Sequence, residues 1–231
     1  MKPERMGWAK RPLAVEDVEA RLSRLPPCLA AVAGAAKAAA QGGAWEDEGG
    51  ALLAGHQLDR GSEAYDVLLY PGLSASAIEA YQSLHEIAFP PALAELLRHL
   101  NGAELFQLNI YGAPLSMIQD PPLLTRSSRA PLDVGSGAHW RYGYEEADPE
   151  AVLFASRNVS YTGQVGYFML PDGQVIGRGK GDAPTRSGPW ADVSAWLTAV
   201  LAEPPYRPPP LPIRRSPWMR LRAWFGRLAQ V

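Results

Sequence analysis

The stretch that most constrains this chain of 231 residues runs from residue 74 to residue 111, where the spacing of apolar residues changes from helical to extended. Ile78, Tyr81, Leu84 and Ile87 recur every third residue after Ser74 and Ser76, either of which can cap a helix start. Phe89-Pro90-Pro91 then breaks the chain, because proline suits the first turn of a helix and not its interior. Leu93, Leu96, Leu97 and Leu100 fall at i, i+3, i+4 and i+7, the pattern of a helix with one buried face. Asn101-Gly102 is expected to stop it, since glycine adopts the left-handed C-terminal conformation at low steric cost. In Leu105–Tyr111 (LFQLNIY), Phe106, Leu108 and Ile110 alternate with Gln107 and Asn109, which predicts one strand.

Further along, Ala151–Ala155 (AVLFA) reads as a short buried strand. Gln164–Leu170 and Gln174–Ile176 flank Pro171-Asp172-Gly173, a hairpin turn signal. Val193, Trp196, Leu197, Val200 and Leu201 share one side of a last helix. Helices followed by strands and a closing helix predict an α+β fold, with the helices packed on a mostly antiparallel sheet, rather than alternating βαβ units. Residues 70–202 form this predicted domain. Residues 1–69 are expected to be a helical and irregular N-terminal extension, with a short helix near Val15–Leu25 and an alanine-rich one at Leu29–Ala40. Residues 203–231 read as a proline-rich spacer and a basic amphipathic helix, in which Trp218, Leu221, Trp224, Phe225 and Leu228 cover one arc while Arg220 and Arg227 lie opposite and Arg222 borders it. About 38 residues, 113–150, lack periodicity, and structureless segments longer than roughly 12–15 residues are often functional.

The run IEAYQSLHEIAFPPALAELLRHLNG followed by LFQLNIYG resembles the SUKH superfamily, which includes the fungal Smi/Knr-type cell-wall regulators. Its carriers are Pro90, Leu93, Leu97, Asn101, Gly102, Tyr111 and Gly112, with the hairpin VGYFMLPDGQVI and the helix VSAWLTAVL downstream. The resemblance covers residues 70–202. Leu93 stands where the family often has Tyr, and the extension and the Arg/Trp tail lie outside its pattern. It implies an α+β fold, non-enzymatic protein binding and, in bacteria, an immunity protein that neutralises a secreted toxin. The alternative is a regulatory scaffold linked to cell-wall or envelope synthesis, touching the membrane through its tail.

Charge and composition narrow the chemistry. Apolar residues make up 47% of the chain and charged residues 20%, enough for a sizeable core. The formal net charge of -2 gives no general case for nucleic-acid binding. It conceals a body at residues 70–202 with a net of -5 and a tail at residues 203–231 with a net of +5. The first 22 residues carry charges throughout and no apolar core of a signal peptide, and no run of 18 apolar residues occurs, so a cytoplasmic location is expected. Cys28 excludes an internal disulfide framework and is read as a small buried hydrophobe. His56, His85, His99 and His139 show no metal-ligand spacing, and no cofactor is expected. Gly177, Gly179 and Gly181 in VIGRGKGD resemble a phosphate loop only superficially and read as a flexible loop.

Candidate contact residues lie in two places. Trp140, Tyr142 and Tyr144 alternate and would project to one side of an extended segment, followed by Glu145, Glu146, Asp148 and Glu150. Such a segment either lends its aromatics to the core or forms an aromatic anchor with an acidic rim. In the second case the carboxylates would suit a basic partner, including the cleft of a nuclease toxin. The tail residues Trp218, Arg220, Arg222, Trp224, Phe225 and Arg227 suit docking on the body, a partner protein or weak contact with an anionic membrane.

Overall fold

Ser74 caps the helix that follows it: the Ala77 amide donates to its hydroxyl at 3.2 Å. The computed structural model describes residues 10–58, 60, 64–114, 130–140, 144 and 148–205. Within them lie strands β1 (Lys10–Pro12), β2 (Ala44–Asp47), β3 (Leu52–His56), β4 (Tyr65–Pro71) and β5 (Leu100–Leu105). The remaining strands are β6 (Leu108–Ile110), β7 (Val152–Asn158), β8 (Gln164–Met169), β9 (Val175–Lys180) and β10 (Arg186–Trp190). The helices are α1 (Val15–Leu22), α2 (Ala30–Ala39), α3 (Ala75–His85), α4 (Pro91–His99), α5 (Val134–Trp140) and α6 (Val193–Ala202). All ten strands pair in chain order, each antiparallel to the next, in one sheet. The fold is α+β, as the order of periodic segments predicts.

The core lies between the sheet and its helices. Leu52, Ala54, Val67, Leu69, Ala103 and Leu105 share one buried cluster with Leu93, Leu96 and Leu97 of α4, while Leu100, expected as the fourth residue of the helical stripe, is extended and opens β5. Trp196 of α6 is fully buried, edge-on to Phe154 at 4.8 Å between ring centroids and tilted on Tyr167 at 5.2 Å. Asp192 caps α6 by accepting from the Ala195 amide at 2.8 Å. The Pro171-Asp172-Gly173 turn joins β8 to β9 as expected, with Gly173 at φ +90°.

Five local expectations are corrected. First, residues 10–71 carry four strands of the sheet as well as α1 and α2. Leu52 and Ala54 face the main core while Ala51 and Leu53 join a second cluster with Leu68 and Tyr70, so the run is apolar on both faces and lacks the alternation that marks a strand. The alanine-rich α2 is packed firmly, with Val32 and Ala36 wholly buried, its small side chains allowing close approach to α1, α6 and the sheet.

Second, Leu105–Tyr111 is a hairpin rather than one strand: Leu105 pairs with Leu108, and Phe106-Gln107 is the turn, Phe106 standing at φ +58°. Asn101-Gly102 is accordingly part of β5. There Asn101 clamps Ala113, donating to its carbonyl at 2.9 Å and accepting from its amide at 2.7 Å. Third, Leu84 is 60% exposed although it lies within α3, and the helix ends at a left-handed Glu86, which leaves Ile87 beyond it. Fourth, Gly177 and Gly179 lie in β9, where a Cβ on Gly179 would overlap the Pro184 carbonyl, so these glycines permit close approach rather than flexibility. Fifth, Cys28 is exposed, because it stands in a short 3-10 turn whose buried position goes to Leu29.

Candidate protein-binding groove

The unpatterned segment contributes an element to the surface. Asp133 precedes α5 and accepts from the Ser136 hydroxyl at 2.5 Å, from the Ser136 and Gly135 amides at 3.2 Å each, and from the Tyr81 hydroxyl. The Gly135 amide in turn donates to the Tyr81 oxygen at 2.7 Å. Burial pushes the Asp133 carboxyl up, but these hydrogen bonds outweigh it and hold the group below its ordinary value. His139 Nε2 bonds the His85 carbonyl oxygen at 2.8 Å, so both ends of α5 are tied to α3. A seven-residue helix with two glycines has little stability of its own, and these side-chain ties keep it in place.

Beside α5 runs a groove of about 460 Å³. One wall is Ile87, Phe89, Pro90 and Pro91, from the break between α3 and α4. Ala138 of α5, Pro149, Val152 and Pro171 complete the apolar lining. The near wall is preset: the Phe89 amide donates to Gln82 Oε1 at 2.7 Å, and the Phe89 ring stacks on Tyr81 at 6.0 Å. Four prolines in the lining, Pro90, Pro91, Pro149 and Pro171, leave little backbone freedom to lose on binding. Glu150 is the only charged residue lining the groove among the described residues. Asp148 stands two residues from it in the same turn, its Oδ1 accepting from the Glu150 amide at 3.0 Å, and both side chains are exposed.

The expected contact residues are divided by this arrangement. Asp148 and Glu150 lie at the groove. Trp140 is the last residue of α5, so it is helical and does not alternate along an extended segment with Tyr144. Tyr144 is buried, edge-on to Phe168 at 5.7 Å, donating to Gln164 Oε1 at 2.9 Å and lying under Lys180 Nζ at 4.8 Å. Burial, with Tyr111 and Tyr167 nearby, pushes its phenol well above the ordinary value. It fills the space that Gly166 leaves on β8, where a Cβ would come within 2.7 Å of the ring, and so belongs to the core instead of a surface anchor. Tyr142, Glu145, Glu146 and the tail residues Trp218, Arg220, Arg222, Trp224, Phe225 and Arg227 lie outside the described residues.

Chemistry elsewhere is sparse. Among the described residues, no three His, Cys, Asp or Glu side chains converge as a metal site. His99 pairs with Glu95 at 2.9 Å, one helical turn away. No helix of the described residues is long and apolar enough to cross a membrane. The groove walls escaped the sequence reading because Phe89-Pro90-Pro91 reads as punctuation. The signal available was the unusual apolar character of a chain break that ends in two prolines. Compared with known proteins, the chain matches no family model, no curated protein and no solved structure.

Proposed function

We propose that this chain is a non-enzymatic protein-binding domain, an immunity protein that neutralises a toxin, as the resemblance of residues 70–202 to the SUKH superfamily implies. The groove between the α3–α4 break, α5 and the turn at residues 148–151 is where it receives its partner. The observation that supports this reading is a preset apolar trough whose one charged lining residue among the described residues is Glu150, with the exposed Asp148 two residues away in the same turn. Apolar side chains of a partner fill such a trough at little entropic cost, and a basic rim on that partner meets Asp148 and Glu150. Complementary charge of this kind speeds encounter and rejects acidic competitors.

The test uses the partner this reading requires, a toxin domain expected from a reading frame adjacent to this chain's. Calorimetry is expected to give a one-to-one complex, and co-expression is expected to restore growth. The double substitution Asp148→Lys with Glu150→Lys should weaken the complex about tenfold or more, equivalent to roughly 1.4 kcal/mol. Both positions are exposed and the change removes only the Asp148 contact to the Glu150 amide, so the variant should stay folded and melt close to the wild type. Unchanged affinity in the variant, or no complex with the wild type, overturns the reading.

A further inference from the structure

At the other end of α4, about nine residues from the groove wall, lies a second and larger cleft of about 600 Å³. It is bounded by α1, the β1–β2 pair, the Pro71-Gly72 connection and the last turn of α4. Its lining holds four guanidinium groups, Arg11, Arg21, Arg24 and Arg98, against two carboxylates, Asp17 and Glu46. Glu46 is shared: Arg11 Nε donates to it at 2.8 Å and Arg21 at 3.0 Å. Arg21 is further engaged by the Gly50 carbonyl oxygen. Arg98 reaches Glu95 only at 3.5 Å, a weak contact. Arg24 is exposed, and its side chain has no hydrogen-bond or ion-pair partner among the described residues. Two of the four forks are therefore held as a scaffold, and two are available.

The cleft also has an apolar part to its lining. Leu22, Leu69 and Leu100 belong to the buried core, and Leu13 and Leu25 are half-buried beside them. The walls meet closely, since a Cβ on Gly72 would overlap the Arg98 carbonyl, and the Leu73 amide donates to the Leu97 carbonyl at 2.9 Å. Guanidinium forks match the geometry of phosphate and carboxylate oxygens, and a cleft of this volume lies in the range of small-molecule sites. We propose that this cleft is a second binding site, for a small organic anion with an apolar body on the leucines and a phosphate or carboxylate head between Arg24 and Arg98. The proposal is independent of the groove and its partner.

The probes are octyl phosphate, octanoate, inorganic phosphate and octyltrimethylammonium, titrated into the full chain by calorimetry with amide chemical shifts followed in parallel. Either octyl anion should bind saturably, and the tighter of the two assigns the head as phosphate or carboxylate. Inorganic phosphate should bind about tenfold more weakly than octyl phosphate, because the leucines are unused. Arg24→Ala with Arg98→Ala should weaken the octyl anion about tenfold, and Arg24→Lys with Arg98→Lys should restore part of that loss, lysine keeping the charge without the fork. Equal binding of octyltrimethylammonium, or undiminished affinity in the alanine pair, overturns the proposal. Should the alanine pair melt early, the wild-type shifts decide instead: perturbations centred on Arg24, Arg98 and Gly72 support the site, and perturbations centred elsewhere overturn it.

Discussion

Asp133 shows how one side chain holds an element whose own sequence is a poor helix former. Its carboxylate collects four donors from Tyr81, Ser136 and Gly135, so α5 is fastened to α3 through a single charged group. Replacing it with Asn keeps the shape but turns an acceptor into an amide facing the Ser136 donors. The expected cost is about 1–2 kcal/mol of stability at neutral pH, in the range for hydrogen bonds to a charged group. The pH dependence follows from the lowered pKa of Asp133. A carboxyl whose folded value lies below its unfolded value stabilises above the unfolded pKa of about 3.9, and that contribution is lost as pH falls through the folded value. Thermal melts of wild type and Asp133→Asn should thus differ at pH 7 and converge toward pH 3. A gap that persists at pH 3 would show that Asp133 acts by packing alone.

Among elements, β9 makes the sharpest demand on particular residues. Gly177 and Gly179 lie in a strand that pairs with β8 on one side and β10 on the other, and the connection to β10 passes directly over Gly179. Gly179→Ala should push the Pro184 carbonyl away and destabilise the fold by about 1–3 kcal/mol, the range for overpacking. Amide exchange should then quicken in β10, where the strain is released, before it quickens in β8. Equal exchange in both strands would contradict this account. The same strand shows where sequence reading reaches its limit. Glycines that permit close approach are indistinguishable in one sequence from glycines that permit motion, and only the neighbouring chain decides. α3, α4, α6 and the β8–β9 turn were legible because each has one buried face or one obligatory turn residue. β3 and β4 were not, since Leu52 and Ala54 face one buried cluster and Leu53 the other, as Val67 and Leu69 do against Leu68 and Tyr70, which leaves no period to detect. The groove was half legible: Asp148 and Glu150 stood out as charges, but its walls join residues 87–91 to Pro149 and Pro171 through the β7–β8 register of Val152 with Met169, which no local pattern encodes.

Across the whole molecule, α4 links two surfaces of opposite character. Its proline-led start borders the carboxylate groove, and its Arg98-His99 end borders the arginine cleft. This polarity agrees with the helix dipole, which favours anionic groups at the start and cationic groups at the end. Both surfaces depend on the same core, because the buried cluster runs without a break from Val18 and Leu22 of α1 through α4 to Trp196 and Val200 of α6. A continuous cluster predicts that the N-terminal strands do not unfold apart from the rest. Trp196→Ala removes the largest fully buried side chain among the described residues and leaves a void facing Phe154 and Tyr167, at an expected cost of about 3–5 kcal/mol. If the molecule is one cooperative unit, that loss falls equally on strands remote from Trp196. Amide protection in β3 and β4 should decrease by the same free energy as in β7 and β8, measured by native-state exchange in low denaturant. Protection that drops in β7 and β8 alone would divide the chain into two units, with α4, which borders both the arginine cleft and the groove, at the seam between them.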